Sequence, residues 1–144
     1  MVGSLATSNL SLLYGDPDFG YTTVIPLNVG GASFAAAVGD YNGDSKRDLA
    51  VSIQRGSGQG AVKVYTGNGL YTFTAAGTFP IGSLASGLAA VDFAGSAALD
   101  LATANTSAAS VSLLVGDGAA GFTATPRYDF PASSLLTGLV SAEM

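Results

Sequence analysis

The sequence predicts an all-β chain made of repeated four-stranded antiparallel units, and three observations carry that prediction. Short apolar or alternating runs are separated by Asn-Gly, Gly-Asn-Gly and Ser-Gly signals, the residues that tight hairpin turns demand. Only 10% of the 144 residues are charged while glycine counts 20, a composition that disfavours long surface helices. A self-similar pattern also recurs with a period near fifty residues.

The repeat shows in three lines: "SLLYGDPDFGYT" from Ser11, "KVYTGNGLYTFT" from Lys63 and "SLLVGDGAAGFT" from Ser112. Their glycines, Gly15, Gly67 and Gly116, lie 52 and then 49 residues apart, and an aromatic follows each by six positions at Tyr21, Phe73 and Phe122. A second line reads "SLATSN" from Ser4, "DLAVSI" from Asp48 and "DLATAN" from Asp100. A third reads "AVGDY" ending at Tyr41, "AVDFA" from Ala90, and the partial "SAEM" from Ser141.

Within the central unit, residues 34–39, 49–53, 61–66 and 72–79 read as four short strands, so each unit is a meander. Four-stranded meanders at this period are the pattern of β-propeller blades. The Ala and Gly runs at residues 35–39 and 87–91 suit the crowded inner strand, and the recurring Tyr or Phe suits packing between blades. The units divide as strands two to four of a first blade over 4–29, a second blade over 33–80, a third over 85–131, and strand one of a further blade over 134–144. The chain then spans about three blades per copy, whereas propellers hold four to eight. Two copies related by a twofold axis would give six, the C-terminal strand of each completing the N-terminal blade of the other. A closed homodimer with strand exchange at the termini is therefore expected; the rival is a fragment of a longer protein that associates more loosely.

The stretch "VGDYNGDSKRDLAV" from Val38, followed by "VKVYTGNGLYTF", resembles the FG-GAP/VCBS repeat family of β-propellers, in which an Asp-rich loop joins strands one and two of a blade. The resemblance is specific in the second unit, weaker in the third and partial at both ends. It implies calcium binding on that loop and a role in adhesion, carbohydrate binding or scaffolding. It also implies a secreted or cell-surface location, although "MVGSLATSNLSLLY" has neither the basic start nor the continuous apolar stretch of a signal peptide.

The loop chemistry points the same way. Calcium takes six to eight oxygen ligands, and a D-x-[DN]-x-[DN] loop offers alternate side chains to one centre. That assigns Asp40, Asn42, Asp44, the carbonyl of Lys46 and Asp48 as ligands. Ser45 stands where such loops usually carry Gly for a sharp left-handed turn. The same residues also suit an Asx-turn with solvated carboxylates, but three acids so close repel one another without a cation. The equivalent loop "DFAGSAALD" keeps Asp92 and Asp100 and has Ala94 and Ser96 in the middle positions, a degenerate second site that reads as a metal-free turn. Glu143 sits near the Asp92 position of the last partial copy. Asp16, Asp18 and Asp117 fall in turns between strands three and four, where Asp is expected for geometry.

Composition narrows the functions. With no His and no Cys, the chain holds no Ser-His-Asp or Cys-His nucleophile, no His-ligated metal, no structural zinc and no disulfide. A net charge of −5 with five Lys and Arg argues against nucleic acid and anionic membrane as partners. Residues 64–91 are uncharged but too punctuated by Gly, Ser and Thr for a membrane span. Two functional readings remain. One is a calcium-stabilised module that presents its loops to a glycan or protein ligand. The other is a metal-dependent hydrolase of phosphotriester or lactone substrates, with Asp44 or Asp92 as general base.

Overall fold

The computed structural model describes residues 2–3, 8–16, 18, 20–131 and 136. They form strands β1 (Val2–Gly3), β2 (Asn9–Asp16), β3 (Gly20–Asn28), β4 (Ala32–Gly39), β5 (Asp48–Gln54) and β6 (Gly60–Gly67). These are followed by β7 (Phe73–Ile81), β8 (Ala85–Val91), β9 (Asp100–Asn105), β10 (Ser110–Gly116), β11 (Phe122–Ala124) and β12 (Tyr128–Asp129). No helix is present among the described residues, and every strand pair is antiparallel.

Three sheets follow one another along the chain: β1-β2-β3, then β4-β5-β6-β7, then β8-β9-β10-β11 with β12 also on β10. The central sheet is a plain meander, each strand beginning and ending within two residues of the run read from the sequence. In the third sheet the outer strand is interrupted, because Pro126 has no N–H to give and the chain resumes pairing at Tyr128. In the first sheet the strand beside β2 is Val2–Gly3. The strand expected from Ser4 falls largely on residues 4–7, and strand one of a further unit on 134–144; apart from Leu136, both lie outside the described residues.

Two apolar cores hold the sheets together, and each lies between neighbouring sheets rather than within one. The first joins Leu10, Leu12 and Val29 of the first unit to Leu49, Val51, Ile53 and Tyr65 of the second. The other joins Tyr41, Ala50, Val62 and Val64 to Leu88, Leu101, Leu114 and Phe122. Strand β5 therefore sends alternate residues into both cores, which is why its sequence is apolar on both faces instead of alternating. The recurring aromatics act here: Phe122 meets Tyr41 and Phe79 edge to face at 5.8 and 5.3 Å, and Phe73 packs against the other core. The side chain of Tyr21 lies outside the described set.

The inner strands repeat a finer device. Strands β4 and β8 each carry a bulge against their neighbour, between Ser33 and Ala35 and between Ala85 and Gly87. The buried Ser52 hydroxyl accepts from the Ala35 amide at 2.9 Å and lies 2.9 Å from the Ala85 carbonyl, so one side chain satisfies the first bulge and ties it to the next sheet. Beyond the third sheet, the hydroxyls of Ser86 and Thr106 donate to the carbonyl of Leu136 at 3.3 and 2.8 Å. Position 136 follows position 85 by 51 residues, so a serine or threonine reaches the same point of the repeat twice.

Tyr41 is 2% exposed, and among the described residues its hydroxyl has no hydrogen-bond partner. Burial raises its pKa far above the usual phenol range, and the charge on Asp48 pushes the same way. An unsatisfied buried hydroxyl costs stability. Tyr41→Phe keeps the ring contacts with Phe122 and removes that cost, so it should stabilise the fold by about 1 kcal/mol in urea unfolding; a loss of stability would show that the hydroxyl is bonded.

Candidate metal centre

The loop at residues 40–47 connects β4 to β5, and its shape is dictated by two carboxylates that collect backbone amides. Asp40 accepts from Gly43 at 2.8 Å and Asp44 at 3.2 Å on Oδ1, and from Ser45 at 2.7 Å on Oδ2. Asp48 is fully buried and accepts from the Tyr41 amide at 2.9 Å on Oδ2 and the Gly67 amide at 2.8 Å on Oδ1. It thereby pins this loop to the β6–β7 turn. Gly67 must approach closely for that bond: a Cβ there would collide with the carbonyl of Arg47.

Between these anchors the remaining oxygens are arranged on the surface. Asn42 Oδ1 accepts from the Asp44 amide at 3.1 Å. Asp44 Oδ1 accepts from the Lys46 amide at 2.9 Å, and Oδ2 pairs with the Lys46 ammonium at 3.0 Å. The Lys46 amide bond, followed by its side-chain bond, holds the Asp44 carboxyl below the usual range. The chain turns left-handed at Gly43, with φ of 76°, and at Ser45, with φ of 62°. Ser45 thus occupies the strained conformation that glycine would take without cost.

The loop at residues 92–99 is the same structure with fewer acids. Asp92 accepts from Gly95 at 2.6 Å, Ser96 at 3.1 Å and Ala97 at 2.9 Å. Asp100, 1% exposed, accepts from Phe93 and Ala94 at 2.8 Å each and from Gly116 at 2.9 Å. Left-handed residues recur at Gly95 and Ala97, with φ of 68° and 67°. Gly95, Ser96, Ala97 and Phe93 stand 52 residues from Gly43, Asp44, Ser45 and Tyr41, and Gly116 stands 49 from Gly67, while the Ala94 bond to Asp100 is additional. Ala94 and Ser96 replace Asn42 and Asp44 without changing the path. Asp40, Asp48, Asp92 and Asp100 therefore have a backbone role that needs no metal; the sequence reading offered a turn role for these loops but not the burial of Asp48 and Asp100 nor their hold on Gly67 and Gly116. The trace of that role in the sequence is the survival of Asp92 and Asp100 in a loop that lacks the middle oxygens.

Among the described residues no group of three or more His, Cys, Asp or Glu side chains converges as a metal cluster, because each carboxylate is turned toward amides. By chemistry alone the donors are oxygens of the kind a hard cation takes. An ionised carboxylate has about four acceptor positions. Asp40 uses three of them, and Asp44 and Asp48 use two each. Free positions remain on all three, besides the Asn42 and Lys46 carbonyls. At Asp92 and Asp100 the intervening oxygens are missing. Glu143 lies outside the described residues.

The other polar residues are accounted for by geometry. Asp117 Oδ1 accepts from Ala119 at 2.8 Å and Gly121 at 2.9 Å, a turn-stabilising pattern, and Asn68 does the same for Leu70 and Thr72. Arg127 and Asp129 pair at 2.8 Å on the exposed outer strand. Asp18 is exposed in the β2–β3 turn, and the Asp16 side chain lies outside the described set.

Antiparallel meanders packed face to face, with an Asp-rich loop between the first two strands of the central sheet, define a β-propeller-like structural or ligand-binding module. Residues 33–65, which include that loop, match the family model of the FG-GAP repeat. Comparison with curated proteins and with solved structures finds no match.

Removing one pin should cost far more than removing a surface oxygen. Asp48→Ala strands two buried amides and should destabilise the chain by about 2–5 kcal/mol in chelator, whereas Asp44→Ala should shift the melting temperature far less; equal losses would contradict the division of roles. Ser45→Gly relieves the left-handed strain and should add about 1 kcal/mol by the same assay.

Proposed function

We propose that the chain is a non-catalytic, calcium-stabilised propeller module that presents loops as a binding surface. The observation that carries this reading is the contrast between the two equivalent loops. Both take the same path, yet only the first retains Asn42 and Asp44, oxygens the path does not require. Calcium would be held by Asp40, Asn42, Asp44, the Lys46 carbonyl and Asp48, and would supply charge neutralisation and rigidity to the β4–β5 loop. To admit it, the Lys46 ammonium must leave Asp44 Oδ2. The loop of Asp92 and Asp100 is read as a metal-free turn. The hydrolase reading has no observation that favours it over the module: Asp92 and Asp44 make their hydrogen bonds within their own loops.

The assembly reading follows from the sheets. The described residues form three of them, and a closed propeller holds four to eight. The Ser86 and Thr106 contacts to Leu136 extend the repeat beyond the third sheet and support a strand of a further blade starting there. A second copy related by a twofold axis would close a six-bladed ring. A secreted or cell-surface location and a glycan or protein ligand accompany this reading through the FG-GAP resemblance.

Two measurements test it. Calcium at saturating concentration should raise the melting temperature, with the gain lost in Asp44→Ala and retained in Asp92→Ala relative to that variant's own chelated form; no calcium-dependent gain in the parent chain would remove calcium from the account. Light scattering should report twice the chain mass with and without chelator, and a monomer would refute ring closure by a second copy.

A further inference from the structure

A groove of about 730 Å³ opens between the first two sheets, beside the β4–β5 loop and the β6–β7 turn. Leu12 and Leu13 of β2 form one wall; Val38, Leu70 and Phe73 form the other, with Arg47 at the side. Its volume is that of a small-molecule site. Two of its apolar residues are unusually open to solvent: Leu70 is 73% exposed and Val38 51%. Among the described residues no acidic side chain lines it, and two of the five basic residues, Lys46 and Arg47, do.

Those two cations are not equivalent. Lys46 lays its alkyl stem over Gly69 and spends its ammonium on Asp44. Arg47 is exposed and has no ion pair among the described residues. A chain of net charge −5 thus has, in the lining of an apolar trough, an exposed arginine with no ion pair among the described residues. A guanidinium matches a carboxylate with two parallel hydrogen bonds, and the trough matches a hydrocarbon body.

We infer that this groove is a binding site for a small monocarboxylate with an apolar tail, its carboxylate on Arg47 and its tail between Leu12 and Leu70. The calcium reading is not needed for this, so the test is run in chelator. Octanoate and its neutral counterpart octanol are titrated separately into the full chain by calorimetry, with saturable octanoate binding expected and octanol about tenfold weaker. Arg47→Gln should weaken octanoate by about tenfold while leaving octanol unchanged, and Leu70→Ser should weaken both. Arg55→Gln, in the turn at the opposite end of the central sheet, should bind as the parent chain does. Unchanged melting curves of the variants establish that they are folded. Equal affinity for octanoate and octanol, no effect of Arg47→Gln, or an equal loss in Arg55→Gln overturns the inference. So does octanoate binding that disappears as protein concentration rises, which would make the groove a contact between copies.

Discussion

The structure depends on a buried carboxylate that does its work through backbone amides. Asp48 lies at the start of β5 with no exposure, yet no basic side chain neutralises it; the amides of Tyr41 and Gly67 do so instead. Because those amides belong to different loops, one side chain fixes how the β4–β5 loop sits against the β6–β7 turn. Asp100 repeats the arrangement in the third sheet with Phe93, Ala94 and Gly116. A buried charge is tolerated when several oriented dipoles converge on it, and its removal strands every one of them.

Packing follows from this anchoring. With the loop ends held, β5 and β9 stand in the middle of their sheets and place side chains into the space between sheets, where Tyr41, Leu101, Leu114 and Phe122 fill one core and Leu12, Leu49 and Tyr65 the other. Tyr65 also donates its hydroxyl to the Asn28 carbonyl at 3.1 Å, and burial pushes its pKa up to about 12. Apart from the Tyr41 and Ser33 hydroxyls, the buried side-chain polar groups among the described residues are paired. Asn105, fully buried, donates to Ser110 at 3.1 Å and Ser112 at 2.8 Å while accepting from Thr103 at 3.0 Å. Small hydroxyl and amide side chains thus fill part of the space between sheets as a hydrogen-bonded network.

The functional surface is layered on that frame. The pins at positions 40, 48, 92 and 100 make the loop, and Asn42 and Asp44 decorate one copy of it. The groove at Arg47 is lined by residues of β2 in the first sheet and of the loops and strands of the second. Within the nine positions from Asp40 to Asp48, Asp40 and Asp48 hold the backbone and are also proposed ligands, whereas Asn42 and Asp44 are oxygens the loop path does not require.

The sequence by itself determined the all-β class, the meander order, the repeat period and the left-handed turn at Ser45. These are local properties: alternation, turn residues and self-similarity are written in consecutive positions and survive without knowledge of distant neighbours. It also marked the inter-sheet role of Phe73 and Phe122 through their regular spacing. What only the tertiary structure decided is which oxygens of the Asp-rich loop hold the fold. The sequence offers Asp48 as the last of a set of ligands but does not reveal its hold on the Gly67 amide, which lies nineteen residues away and leaves no mark in a side-chain pattern. The groove was hidden for the same reason: Leu12, Arg47 and Leu70 are far apart in the chain, and only the packing of the sheets brings them to one opening.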